Sequence, residues 1–461
     1  MRIISHFSGN KERHLSTTKI IVMGFLITIV VGALLLMLPI STAEGLETSP
    51  IDALFTATTS VCVTGLVTLP TYSQWSIFGQ VVILILIQVG GLGIITFTTI
   101  FLRILGRRIG LKERLLIQDA YNLDTMKGMV KLVQRVICGT FLVEGLGALS
   151  YMLVLVPDYG LRGIWMSVFN AVSAFCNAGM DIIGPNSLMD YATHPWMNLV
   201  TMGLIILGGL GFPVWWNILD TFHYDKVHYP SRREAFRHLR LHTKLVLFMT
   251  LVLIVLGALM ILALEYNNPA TLGKMSLWGK ILASLFQSVT TRTAGFAGIS
   301  QSGMREATSF ICCILMFIGG SPSGTAGGIK TTTVAVLTLT VYSIIKGRRD
   351  TEIFERKISS DNVRKALSVF MVSFLAMLIS VMLLSAVQEE PFMDCFYESV
   401  SAIATVGLSR DMTANLNELG KIIIIVTMYL GRIGPISLAL FFNAKKFPNL
   451  KKYKTENISI G

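Results

Sequence analysis

Charge is scarce in this chain. Asp, Glu, Lys and Arg make up 14% of its 461 residues, where a soluble domain carries about 25%, so the composition argues against a water-soluble globule. Cysteine is scarce too. Cys62, Cys138, Cys176, Cys312, Cys313 and Cys395 show no CxxC spacing and fall mostly in or beside apolar stretches, which indicates neither a zinc site nor a disulfide framework. No GxGxxG follows a strand-like run, so the chain lacks a dinucleotide-binding fingerprint. The histidines His223, His228, His238 and His242 sit together without ligand spacing or a nearby thiolate. An enzyme reading therefore finds neither a nucleophile with its base nor a metal cluster.

What the chain has instead is apolar length. Runs long enough to cross a bilayer, about 20 residues, occur near 20–38, 77–102, 132–156, 196–219, 245–264, 310–345, 366–387 and 422–442. These read as eight spans. The first has no small-residue cleavage site after it and reads as a retained membrane helix rather than a signal peptide. The net charge of +12 alone would suit a nucleic-acid binder. Of the 39 Lys and Arg, however, 30 fall in five clusters flanking the spans, all on one side if the spans alternate. By the positive-inside rule both termini are cytoplasmic. No cluster interleaves with aromatics as a base-stacking surface would, so no nucleic-acid partner is expected.

Four short segments between the spans align on a glycine: Phe55 to Gly65, Phe169 to Gly179, Phe286 to Gly295 and Tyr397 to Gly407, the third one residue shorter. Their glycines lie 114, 116 and 112 residues apart. A second marker follows each: Gly90-Gly91-Leu92-Gly93, Gly208-Gly209-Leu210-Gly211, Gly319-Gly320-Ser321-Pro322 and Gly431-Arg432-Ile433-Gly434. A fixed period governs the fold. The expectation is an all-α integral membrane protein of four parallel helix, re-entrant pore loop, helix repeats arranged pseudo-fourfold around a central pore. The repeats cover 19–111, 132–222, 244–345 and 365–444, with cytoplasmic tails 1–18 and 445–461 and cytoplasmic linkers 112–131, 223–243 and 346–364. Each short segment reads as a half-helix that dips in and returns; Ser49 would be the N-cap of the first and Pro50 its first residue.

Irregular backbone at membrane depth is tolerated only when buried in protein or lining a water-filled path. The half-helices would aim their C-terminal ends, each about half a negative charge, at the centre. The candidate filter loops are Val61-Cys62-Val63-Thr64-Gly65, Phe175-Cys176-Asn177-Ala178-Gly179, Thr291-Arg292-Thr293-Ala294-Gly295 and Ile403-Ala404-Thr405-Val406-Gly407. They contain no Asp or Glu, so backbone carbonyls would coordinate the ion. That suits a weakly hydrated monovalent cation better than a divalent one. Cys62 and Cys176 read as small side chains packed behind the loops, and Arg292 as a brace rather than an ion-facing group. The in-span glycines at 90 and 208 also fit close helix packing. The sixth span is interrupted by Gly319-Gly320-Ser321-Pro322-Ser323-Gly324-Thr325-Ala326-Gly327-Gly328, five glycines in ten residues. Two readings stand for it: a flexible segment that shifts between states, or a kink at Pro322.

These residues resemble the Ktr/Trk/HKT superfamily of potassium transporters over essentially the whole chain, most closely its bacterial Ktr branch. The loop Val61–Gly65, the glycine in all four loops, the interruption ending at Lys330 and Arg432 in the last span carry the resemblance. It implies a potassium path, because glycine rather than serine at the first filter position goes with potassium. It implies an intramembrane gating loop at 319–330 and an Arg432 that points into the pore beneath the filter. From the residues alone, pairing of Arg432 with a carboxylate such as Glu144 stands as an alternative. Lys330 reads as a helix-end cation or as a gating contact. The resemblance further implies a homodimer in the bacterial plasma membrane, a cytosolic KtrA-type ring of regulatory subunits that brings the only nucleotide (ATP or ADP), and sodium as an activator. The basic segments 107–131, 226–240 and 346–365 could dock that ring or bind anionic lipid. A second functional class, an alternating-access cation carrier, is disfavoured because inverted repeats and mid-membrane binding carboxylates are absent.

Overall fold

The computed structural model describes residues 17–93, 96, 97, 99, 129–224, 236–348 and 350–434. The described residues are mostly helical; the one named strand pair is β1 (Glu352–Ile353) with β2 (Arg356–Lys357). The first stretch comprises α1 (Thr17–Leu36), α2 (Pro50–Cys62), a single turn α3 (Thr71–Gln74) and α4 (Ile77–Leu92). The second comprises α5 (Met129–Tyr159), α6 (Arg162–Cys176), α7 (Pro195–Leu210) and α8 (Phe212–Tyr224). Then follow α9 (Leu241–Glu265), α10 (Leu277–Thr290), α11 (Glu306–Phe317) and α12 (Thr331–Ile345), and lastly α13 (Ser360–Val387), α14 (Phe392–Ala404) and α15 (Glu418–Ile433).

Among the described residues, four helices are long and apolar enough to cross a bilayer, α1, α5, α9 and α13, or five if α7 and α8 form one bent span. The eight runs are therefore not eight equal helices. The 16 residues of α4 cover about 24 Å, short of the roughly 30 Å hydrocarbon core. The sequence reading placed one break, in the sixth span, yet α4, α7 and α15 all stop at a glycine of left-handed φ: Gly93 (+83°), Gly211 (+91°) and Gly434 (+85°). At Gly211 the chain turns by 94° from α7 into α8. Much of the continuation after Gly93, and all of it after Gly434, lies outside the described residues, as do the basic linkers in large part.

The four short helices α2, α6, α10 and α14 form the centre. Their leading aromatics, Phe55, Phe169, Phe286 and Tyr397, are fully buried, each worth about 1.5–3 kcal/mol of apolar burial. Ser49 accepts the Asp52 backbone N–H at 3.2 Å and Pro50 opens α2, as the cap pattern predicts. The in-span glycines let the second helices lie directly on the ends of the short ones. A Cβ built on Gly90 would sit 2.0 Å from the Val61 carbonyl oxygen, one on Gly208 2.0 Å from that of Phe175, and one on Gly431 2.1 Å from that of Ile403. The matching position in the third stretch is different: Gly319 lies against the carbonyl of Gly327 within the break. Gly208→Ala is expected to destabilise the protein by about 3 kcal/mol or more. Gly203→Ala, on the same helix but with nothing within 4 Å, is expected to leave thermal unfolding in detergent unchanged, and the two melts compared side by side check this.

Candidate ion path

Each short helix runs into a loop with the same backbone signature. Two residues before each glycine stands a non-glycine residue of left-handed φ: Val63 (54°), Asn177 (58°), Thr293 (69°) and Thr405 (51°). The glycines themselves have φ of 98°, 65°, 86° and 99° at Gly65, Gly179, Gly295 and Gly407. In three loops the N–H before the glycine reaches back five residues: Thr64 to the Thr59 carbonyl, Ala178 to Ser173 and Val406 to Ser401, at 2.8–2.9 Å. In the third, Ala294 reaches back only four, to Thr290 at 2.9 Å. The one-residue shortening seen in the sequence is thus absorbed in the helix-ending turn. Side-chain hydroxyls of Thr59 and Ser401 also accept the N–H groups of Gly65 and Gly407.

The four glycines meet in a closed ring. A Cβ on Gly65 would lie 2.4 Å from the Ala178 carbonyl oxygen, on Gly179 2.5 Å from that of Ala294, on Gly295 2.2 Å from that of Val406, and on Gly407 2.3 Å from that of Thr64. Every loop thus rests on the carbonyl preceding the glycine of the next, and the last returns to the first. No side chain larger than hydrogen fits at any of the four. The loops are buried and carry no acid. Thr64 Oγ1, Asn177 Oδ1 and Thr405 Oγ1 are buried oxygens without a hydrogen-bond partner among the described residues.

Two cavities lie near these loops, one of them at the ring. One, about 350 Å³, is lined by all four ring glycines and by Asp181 and Asp411. Asp181 accepts the Ser187 hydroxyl at 2.5 Å and the Ile183 N–H at 3.3 Å; burial pushes its carboxyl up to about 6, against the opposing pull of these hydrogen bonds. The second cavity, about 360 Å³, is lined by Ile403 and Ala404 at the end of α14, by the glycine-rich break, and by Lys330 and Arg432.

The break is packed and bonded rather than slack. Ser321 N–H donates to the Gly209 carbonyl (2.9 Å), Thr325 N–H to Gly208 (3.1 Å), Phe212 N–H to Ser323 (3.1 Å) and Gly320 N–H to Gly327 (3.2 Å). The Thr325 hydroxyl donates to the Phe175 carbonyl and accepts from the Asn177 amide, while Gly327 N–H donates to Thr293 Oγ1. Gly324 abuts Gly208 and Gly211, and the Pro322 carbonyl abuts Gly211. Gly328 carries φ +64° against Gly319. Small residues stand here because backbone meets backbone on several sides. The ring residues Thr293 and Asn177 therefore touch the break directly.

Arg432 donates to the carbonyls of Thr325, at 2.7 Å, and of Gly90. It thereby bridges the break to α4. Glu144 is not its partner: that carboxylate accepts from Gln88 of α4 at 3.2 Å instead. Lys330 folds back onto the break, donating to the Ala326 carbonyl at 2.7 Å. The Arg292 side chain turns to α9, where its Nη2 lies 3.4 Å from Thr250 Oγ1. Cys62 and Cys176 are fully buried free thiols. The sequence places Asp181 and Asp411 only among fourteen acids on the outer side, a mildly cation-attracting set; the place of Asp181 two residues after a loop glycine was the signal that could have singled it out.

A chain whose described residues are mostly helical, with several helices apolar enough to cross a bilayer and buried loops that close on one another, is a membrane transport protein rather than an enzyme. The chain belongs to the TrkH family of cation transport proteins, whose model matches residues 6–453. It is 41% identical to the Ktr system potassium uptake protein B of Bacillus subtilis, over 94% of both chains. It is 37% identical to the potassium/sodium uptake protein NtpJ of Enterococcus hirae, over 98% of both. Its fold matches the potassium transporter TrkH from Vibrio parahaemolyticus with a TM-score of 0.72, covering 93% of this chain and 86% of that one at 17% identity.

Proposed function

We propose that this protein takes up potassium through a channel-like path in which the four loops are the selectivity filter. The closed ring of glycine-to-carbonyl contacts carries the reading. It brings backbone carbonyls of four loops together at one place, at the negative ends of four short helices, where they can replace a cation's hydration shell. In this reading the four stretches are parallel repeats around a pseudo-fourfold axis, and the cavity holding Asp181 and Asp411 is the outer vestibule. The break at 319–330 with Arg432 and Lys330 is an intramembrane gate beneath the filter, two cations where a permeant cation must pass. Tight bonding of the break supports a closed state. The chain would sit in the bacterial plasma membrane with both termini inside. It would act as a homodimer on a KtrA-type cytosolic ring that supplies nucleotide control, with sodium as an activator.

The test is rubidium or potassium uptake by potassium-starved cells lacking their own systems, with and without sodium and the regulatory partner. No uptake with both present would overturn the reading. Vestibule charge gives a further expectation. Burial pushes the Asp181 carboxyl up to about 6, so it should take up a proton as pH falls from 7.5 to 5, and the apparent KM for potassium should rise severalfold, the scale of one screened unit charge. Asp181→Asn should show the high KM at both pH values, which uptake titrations would check.

A further inference from the structure

Glu144 is a carboxyl group at membrane depth that the ion path described so far does not use. It lies on α5, 4% exposed, and among the described residues its hydrogen-bond partners are neutral. Its Oε2 accepts from the Gln88 amide of α4 at 3.2 Å, and its Oε1 accepts from the Cys176 thiol at 3.8 Å. The same thiol lies 3.6 Å from Gln88 Oε1. Three elements are thus tied at one point: α4, α5 and the last residue of α6. Cys176 packs directly on α4, where Gly91 makes room for it: a Cβ built there would lie 2.6 Å from its sulfur.

What hangs on Cys176 is the second loop. Asn177 follows it in left-handed conformation and donates to Thr325 of the break. Ala178 comes next, and its carbonyl is the one on which Gly65 rests. Gln88, at the other end of the cluster, precedes by two residues the Gly90 carbonyl that accepts from Arg432. A polar side chain in hydrocarbon surroundings is costly unless it serves a purpose, and an apolar residue would fill the space between α4 and α5 at lower cost.

We propose that Glu144 is a positioning residue for the second loop: its carboxyl holds the Cys176 end of α6 and so sets where the Ala178 carbonyl meets Gly65, and with it the discrimination between potassium and sodium. This rests on reading the four loops as the filter. The experiment measures potassium and sodium uptake, per protein in the membrane, for Glu144→Gln, Glu144→Ala, Cys176→Ala and, as a reference, Gly65→Ser. Glutamine keeps an acceptor for the thiol and a polar group for Gln88, so it should keep the potassium-to-sodium ratio within about twofold. Alanine at 144 should lower that ratio about tenfold, the scale of one buried hydrogen bond, and Cys176→Ala should move it the same way. An unchanged ratio in Glu144→Ala, with Gly65→Ser altered, overturns the proposal and leaves the filter standing; no change in any variant overturns the filter reading itself. Glutamine shifting as far as alanine also overturns positioning, because charge would then be the agent. Should Glu144→Ala fail to accumulate, Cys176→Ala decides: a wild-type ratio there overturns the proposal.

Discussion

Gly65→Ser is expected to lower the ratio of potassium to sodium uptake about tenfold or more, because two penalties act on the same atom. The residue has φ +98°, a region where a non-glycine residue costs about 1–3 kcal/mol. Its Cβ would also fall 2.4 Å from the Ala178 carbonyl oxygen and 3.3 Å from the Gly179 Cα. Both neighbours are backbone, so relief comes only by parting the first and second loops. A ring closed by four contacts does not absorb this locally: the Thr64 carbonyl next to Gly65 also supports Gly407. Gly45→Ser provides the control. Gly45 has φ +79° as well, but nothing lies within 4 Å of its Cβ position, so strain without collision should leave the ratio alone. Parallel potassium and sodium uptake in starved cells distinguishes the two, and an unchanged ratio in Gly65→Ser would remove Gly65 from the filter.

The second large effect is expected at Arg432. Arg432→Gln should raise potassium uptake at saturating concentration about tenfold, for two reasons. The guanidinium tethers the break to α4 through the carbonyls of Thr325 and Gly90, and it places a full positive charge on the wall of the cavity beside the ring, where a unit charge in partly desolvated surroundings is worth a few kcal/mol. Glutamine keeps one donor for a carbonyl and removes the charge. Shortening 319–328 should act in the same direction by removing the obstruction itself. That change also strips the bonds to Gly208, Gly209 and Thr293, so flux must be normalised to protein in the membrane. Equal or lower flux in Arg432→Gln at normal abundance would make the arginine a structural clamp.

Much of this organisation is legible in the sequence. The period near a quarter of the chain, the glycine of each loop, the shortened third loop and the Ser49-Pro50 helix start all rest on local properties: hydropathy, the absence of a Cβ, a capping hydroxyl. The breaks at Gly93, Gly211 and Gly434 were not legible as breaks. A glycine inside an apolar run costs a helix only about 1 kcal/mol, and hydropathy is blind to φ. The run at 319–328 was legible as irregular, and its five glycines suggested slack; what only the packing shows is that Gly324 lies against the backbone of Gly208 and Gly211, and Gly327 against the Thr405 side chain and the Ala404 carbonyl. Arg432 was legible as a charge at membrane depth, with pairing to a carboxylate such as Glu144 as the alternative to facing a pore; the fold gives Arg432 backbone carbonyls and Glu144 an amide and a thiol.

The sequence by itself determined that the chain belongs in a membrane and that four glycines, at 65, 179, 295 and 407, recur at intervals close to a quarter of its length. Only the tertiary structure decided that the carbonyl before each glycine is the seat of another, that Arg432 satisfies itself on backbone carbonyls, and that Glu144 stands behind the second loop. The reason is physical. Apolar length and a missing Cβ are properties of a residue and its neighbours in the chain, while each of these contacts joins residues from different helices, over 100 positions apart for the ring and Arg432. Their geometry exists only once the helices have packed.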